Sequence, residues 1–124
     1  MLNALLVAIG GAMGSLVRYG FSLLFPWNQQ GFPWATLLSN GIASFILGLF
    51  AGLLLQKFAD YSWMKYLIII GFCGGFSTFS SFAFELFKLN QGNNLAMAGT
   101  YALASVLISL GCIVLGYSLT INYN

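Results

Sequence analysis

Thr78, Ser81 and Glu85 stand at i, i+3 and i+7 inside a long apolar run, so on a helix they share one face. Phe79 and Phe82, three residues apart, form an aromatic stripe beside them. Tyr101, Ser105 and Ser109 follow at i, i+4 and i+8 and put a second line of hydroxyls on one face. Hydroxyls donate hydrogen bonds without carrying charge. A ring edge is electropositive and suits an anion where no full positive charge is at hand. A line of such groups can replace an anion's hydration shell step by step, the logic of a selectivity filter. An isolated membrane serine usually bonds its own backbone, and an isolated phenylalanine usually packs or faces lipid. Here Ser77, Thr78, Ser80 and Ser81 crowd together directly after the Gly74-Gly75 pair.

Other polar groups within apolar stretches are few. Asn40 carries two N–H donors at a depth where an amide rarely goes unpaired, and bonds either a neighbouring helix or an anion. Arg18, the only arginine, either snorkels to the interface or lines an electropositive vestibule. There is no histidine, so the commonest general base and metal ligand is missing. Cys73 and Cys112 lack metal-ligand spacing and read as small packing residues. This donor-rich, carboxylate-poor inventory suits an anion path better than a proton relay.

The elements that must position these groups are membrane helices. Of 124 residues, 60% are hydrophobic and 5% charged, against roughly a quarter charged in a soluble domain. Four basic and two acidic residues are too few for a nucleic-acid surface. Segments of about 20 apolar residues fit at Leu2–Phe25, Pro33–Leu55, Trp63–Leu89 and Leu95–Thr120. The fold class is therefore all-α, one transmembrane domain of four helices over residues 1–124. The third helix is expected to break near mid-membrane at Gly74-Gly75, where irregular backbone needs protein or a polar cavity to satisfy it.

Small residues at fours, Gly10-Gly14 and Gly11-Ser15 in the first helix and Ala43, Ser44, Gly48 and Gly52 in the second, read as packing faces that fit oligomerisation. Lys57 and Lys65 flank the second loop, Lys88 begins the third, and Arg18 lies about two turns before the first. That near-tie would let the chain insert both ways and pair antiparallel.

Gly10-Gly11-Ala12-Met13-Gly14-Ser15-Leu16-Val17-Arg18-Tyr19, Thr36-Leu37-Leu38-Ser39-Asn40 and Gly71-Phe72-Cys73-Gly74-Gly75-Phe76-Ser77-Thr78-Phe79-Ser80-Ser81-Phe82 resemble the CrcB/Fluc fluoride channels. The resemblance spans all four helices in order. It implies an antiparallel, dual-topology homodimer in the inner (plasma) membrane, with two pores that export fluoride passively, exclude chloride and lower cytoplasmic fluoride. By position it implies that Phe79 and Phe82 present ring edges to fluoride, with Asn40 the pore asparagine and Ser80 and Ser81 the hydroxyls between the rings. Glu85 matches the acidic residue after them, Tyr101, Ser105 and Ser109 the fourth-helix polar track, and Arg18 the vestibule arginine. Gly74 and Ser77 match the residues whose backbone carbonyls hold a central structural Na+. Ala35 stands where the family usually has Gly, and Ser77 and Ser81 where it usually has Thr.

Rival classes fare less well. A four-helix drug/proton antiporter needs a membrane-embedded carboxylate, whereas Glu85 lies toward the third helix's end. An enzyme lacks a carboxylate pair or an intramembrane Ser-Lys pair. Half of an unlike pair is a further reading, but this chain retains the elements of both pore and sodium site.

Overall fold

The computed structural model describes residues 1–56 and 60–122; Lys57, one of the charges in the orientation count, lies outside them. Among the described residues every regular element is helical. In chain order these are α1 (Leu2–Leu24), α2 (Trp34–Gln56), α3 (Ser62–Met64), a π-helical segment (Lys65–Cys73), α4 (Gly74–Phe76), α5 (Phe79–Gln91) and α6 (Leu95–Ile121). From α3 to α5 they form one interrupted span, and four spans are long and apolar enough to cross a membrane. Their ends fall within about two residues of those expected.

Local chemistry sets those ends. Pro26 excludes helical backbone at Phe25, which takes φ −125° and ψ 69°. Thr78 and Asn94 cap α5 and α6, their side-chain oxygens accepting the N–H groups of Ser81 and Met97. Large apolar side chains such as Leu5, Leu16 and Leu23 on α1, and Leu103, Leu107 and Val114 on α6, stand exposed. Helices apolar on their outer faces belong in lipid.

The small residues are packing faces, as their spacing suggests, and the helices they join belong to one chain. α1 lies against the π-helical segment and α4, and α2 against α6. A Cβ on Gly14 would run into the Phe72 carbonyl, and one on Gly75 into the Gly11 carbonyl. Gly48 likewise touches the Ile113 backbone. Backbone-to-backbone contact of this kind is how helices associate in lipid. Both glycine faces are thus spent inside one chain. Gly75→Ala should cost about 1–3 kcal/mol through overpacking. Gly74→Ala meets nothing within 4 Å and should leave the fold of the chain intact. Unfolding both variants in detergent checks the contrast.

The third span is broken, but not at the glycine pair. Gly74 and Gly75 are helical; the chain becomes extended at Ser77 (ψ 154°) and Thr78 (φ −151°, ψ 123°). Gly75 is needed for close approach to α1, so the break falls on the first residues free of that packing. Ser77 is central in the Ser62–Gln91 span. The π-helical stretch ahead of it has no counterpart in the sequence pattern, since the apolar run from Tyr66 to Phe72 carries no period that marks i→i+5 bonding.

Candidate ion pathway

Backbone groups freed at a buried break must find partners, and side chains from two other helices supply them. The Asn40 carboxamide grips Thr78 from both sides: its Oδ1 accepts the Thr78 N–H at 2.7 Å and its Nδ2 donates to the Thr78 carbonyl at 3.1 Å. Arg18 Nε donates to the Gly75 carbonyl at 3.1 Å. The Ser81 N–H goes to Thr78 Oγ1 at 3.2 Å, and the Ser77 hydroxyl turns back to the Cys73 carbonyl at 2.7 Å. In an unbroken helix the Thr78 and Ser81 N–H groups would bond the carbonyls of Gly74 and Ser77. Their diversion strips those two carbonyls of their helical donors.

Two turns beyond the cap, Glu85 is buried, with both carboxylate oxygens hydrogen-bonded. Thr36 Oγ1 donates to its Oε1 and the Tyr101 hydroxyl to its Oε2, each at 2.5 Å. The Tyr101 ring is itself buried, against Phe82 at 5.2 Å and edge-on to Phe32 at 5.4 Å. This ties α2, α5 and α6 together around one carboxylate. A buried carboxylate is tolerated when hydrogen bonds replace its water.

Clefts lie on either side of this structure. The larger, about 400 Å³, includes Arg18, Thr36, Thr78, Ser81 and Glu85 in its walls, so the polar stripe read from spacing does share one surface. A second, about 190 Å³, is lined by Asn40, Phe79, Phe82, Ser105 and Ser109. A third, about 220 Å³, joins Asn40 and Ser109 to Ser77 and Phe79. The rings of Phe79 and Phe82 are 5.8 Å apart, tilted by 49°. Asn40 and Thr78 stand between the arginine-lined cleft and the ring-lined ones. The whole is a run of hydroxyls, one amide and ring edges, with a single cation at its wide end.

A family model described as CrcB-like protein, Camphor Resistance (CrcB), matches residues 5–117. The chain belongs to the CrcB family. A fluoride-specific ion channel FluC of Thermococcus gammatolerans is 43% identical to it over 116 residues, 94% of each chain. One of Pyrococcus abyssi is 43% identical over 117 residues, and one of Rhizobium leguminosarum bv. trifolii 38% over 120, again covering 94% of both chains. These relatives are named as channels, not enzymes.

Against that family background, the candidate residues separate into groups. Asn40, Phe79, Phe82, Ser105 and Ser109 come together; Arg18, Ser81 and Glu85 come together in the larger cleft; Tyr101 joins the two through Glu85. Ser80 is exposed in the single chain, its hydroxyl 3.3 Å from that of Thr78. Phe79 is 79% exposed. The spacing argument passed over Thr36 as the donor to Glu85, although Thr36 and Asn40 lie at i and i+4 on α2. It also passed over Ser39, whose hydroxyl is buried in the larger cleft's wall without a hydrogen-bond partner among the described residues.

Proposed function

We propose that this CrcB-family chain is a fluoride-selective passive channel that exports fluoride across the inner plasma membrane and lowers cytoplasmic fluoride. The observation that carries the reading is the ring-lined cleft, whose walls bring Phe79 and Phe82 together with Asn40, Ser105 and Ser109 and hold no fixed charge. Fluoride is small and strongly hydrated, so close neutral donors offset its lost water while leaving binding weak enough for exit. The names of the curated relatives support the same ion.

The working form is an antiparallel, dual-topology homodimer in lipid, with a pathway on each side. Support comes from Phe79, which is 79% exposed although it lies beside the candidate path. A second copy would cover that ring and close the laterally open clefts. At the centre of the pair, a structural Na+ would be held by the Gly74 and Ser77 carbonyls of both copies. Those carbonyls fit a hard cation, which takes oxygen ligands, because the N–H groups that would occupy them go to Asn40 and Thr78. Bound there, sodium would supply the positive charge that the freed carbonyls lack.

Liposomes holding only this purified chain and loaded with fluoride should empty when a potassium ionophore clamps the voltage. Chloride-loaded liposomes should retain their anion. Equal chloride efflux, or none of either ion, would overturn the reading.

A further inference from the structure

We propose that Arg18 is a positioning residue for the broken helix, acting through its Nε hydrogen bond to the Gly75 carbonyl rather than through its charge. The break opens a set of four carbonyls, Gly74 to Ser77, because the first turn of α5 sends no intrahelical N–H back across it. Arg18 reaches from α1 and takes one of them, Gly75, at 3.1 Å. The Gly75 backbone is also pressed directly against Gly11 of α1, seven residues before Arg18. One helix therefore holds this peptide by packing and by hydrogen bond together, while Asn40 of α2 holds Thr78. Withdrawing the Gly75 carbonyl leaves three, Gly74, Phe76 and Ser77; of these Gly74 and Ser77, three residues apart, are the two whose helical donors are engaged by side chains.

The charge gives the opposite sign. A guanidinium close to a cation site repels the cation, so neutralising Arg18 would tighten sodium if charge were its contribution. If the donor is its contribution, losing it loosens the carbonyl set. Bond counting supplies a clean pair of variants. Glutamine places an amide nitrogen the same number of bonds from Cα as arginine's Nε, whereas methionine places a methyl there.

The inference rests on the channel and sodium readings above, so its test carries a readout that needs neither. In wild type, R18Q and R18M, hydrogen exchange at the Ser77–Phe79 amides is followed in detergent, alongside fluoride efflux at graded sodium. R18Q should keep near wild-type exchange and sodium dependence. R18M should exchange about tenfold faster at the break and need about tenfold more sodium for half-maximal efflux, the effect of one lost hydrogen bond that leaves the Gly75 carbonyl unpaired. Equal effects in R18Q and R18M, or no change in exchange in either, would overturn the proposal. Absence of fluoride efflux from wild type would sink the channel reading alone, with the exchange contrast still deciding the role of Arg18. Should R18M not give a monodisperse species, R18Q decides: wild-type exchange supports the donor role, and loosened exchange overturns it.

Discussion

Asn40→Leu is expected to abolish fluoride efflux and to weaken the fold together. The side chain satisfies both the N–H and the carbonyl of Thr78, at 2.7 and 3.1 Å. Leucine satisfies neither, and a buried backbone group left unpaired costs about 1–3 kcal/mol. Two such groups put the loss at about 2–4 kcal/mol, since Thr78 is only partly buried. The break would then re-form as helix or open to water. Asn40→Asp separates the two contributions. Its carboxylate still accepts the Thr78 N–H, but it no longer donates to the Thr78 carbonyl and it brings a negative charge beside Phe79. It should therefore fold better than Asn40→Leu and still pass little fluoride. Chemical unfolding and efflux, run on both variants, check the order. Wild-type stability in Asn40→Leu would mean that the Thr78 grip does not hold the break.

That double role of Asn40 shows where the sequence was readable and where it stopped. The four spans were legible because lipid demands long apolar stretches, and Pro26 and Pro33 punctuate them. The stripe of Thr78, Ser81 and Glu85 was legible because helical spacing puts i, i+3 and i+7 on one face, and α5 is regular. The position of the break was not. Glycine permits both irregular backbone and close packing, and only the neighbour decides; here α1 sits on Gly75, so the pair stays helical and Ser77 and Thr78 open instead. Spacing likewise marked the glycine faces as packing surfaces without saying which helix each would meet. The partners of Glu85 were out of reach for another reason. Thr36 lies 49 residues away in sequence and Tyr101 16 residues away, so the bonds exist only once three helices are assembled. Asn40 itself was marked as a donor to a helix or an anion. The structure gives the helix a first claim on it and leaves one amide N–H to spare.

The two phenylalanines are expected to matter in different ways, and that difference makes the strongest test of the pathway. Phe82 packs on Tyr101 at 5.2 Å and on Phe79 at 5.8 Å. Phe82→Ile therefore removes ring contacts worth about 0.5–1.5 kcal/mol each as well as a ring edge, and mixes a folding defect with any loss of flux. Phe79 is 79% exposed in the single chain, so Phe79→Ile removes the edge at almost no expense to the fold of one chain. If ring edges face the ion, efflux in Phe79→Ile should fall at least about tenfold while gel filtration and unfolding stay near wild type. A ring that only met lipid would give a nearly silent swap, since similar-sized apolar exchanges cost under about 1.5 kcal/mol even in a core. Phe84 is the control. It lies about 140° round α5 from Phe79 and about 200° from Phe82, is half exposed, and has the Lys88 ammonium 5.7 Å above its ring. Phe84→Ile should conduct almost normally. Equal losses at Phe79 and Phe84 would put the aromatic stripe outside the pathway and leave the hydroxyl line of α6 to carry the ion alone.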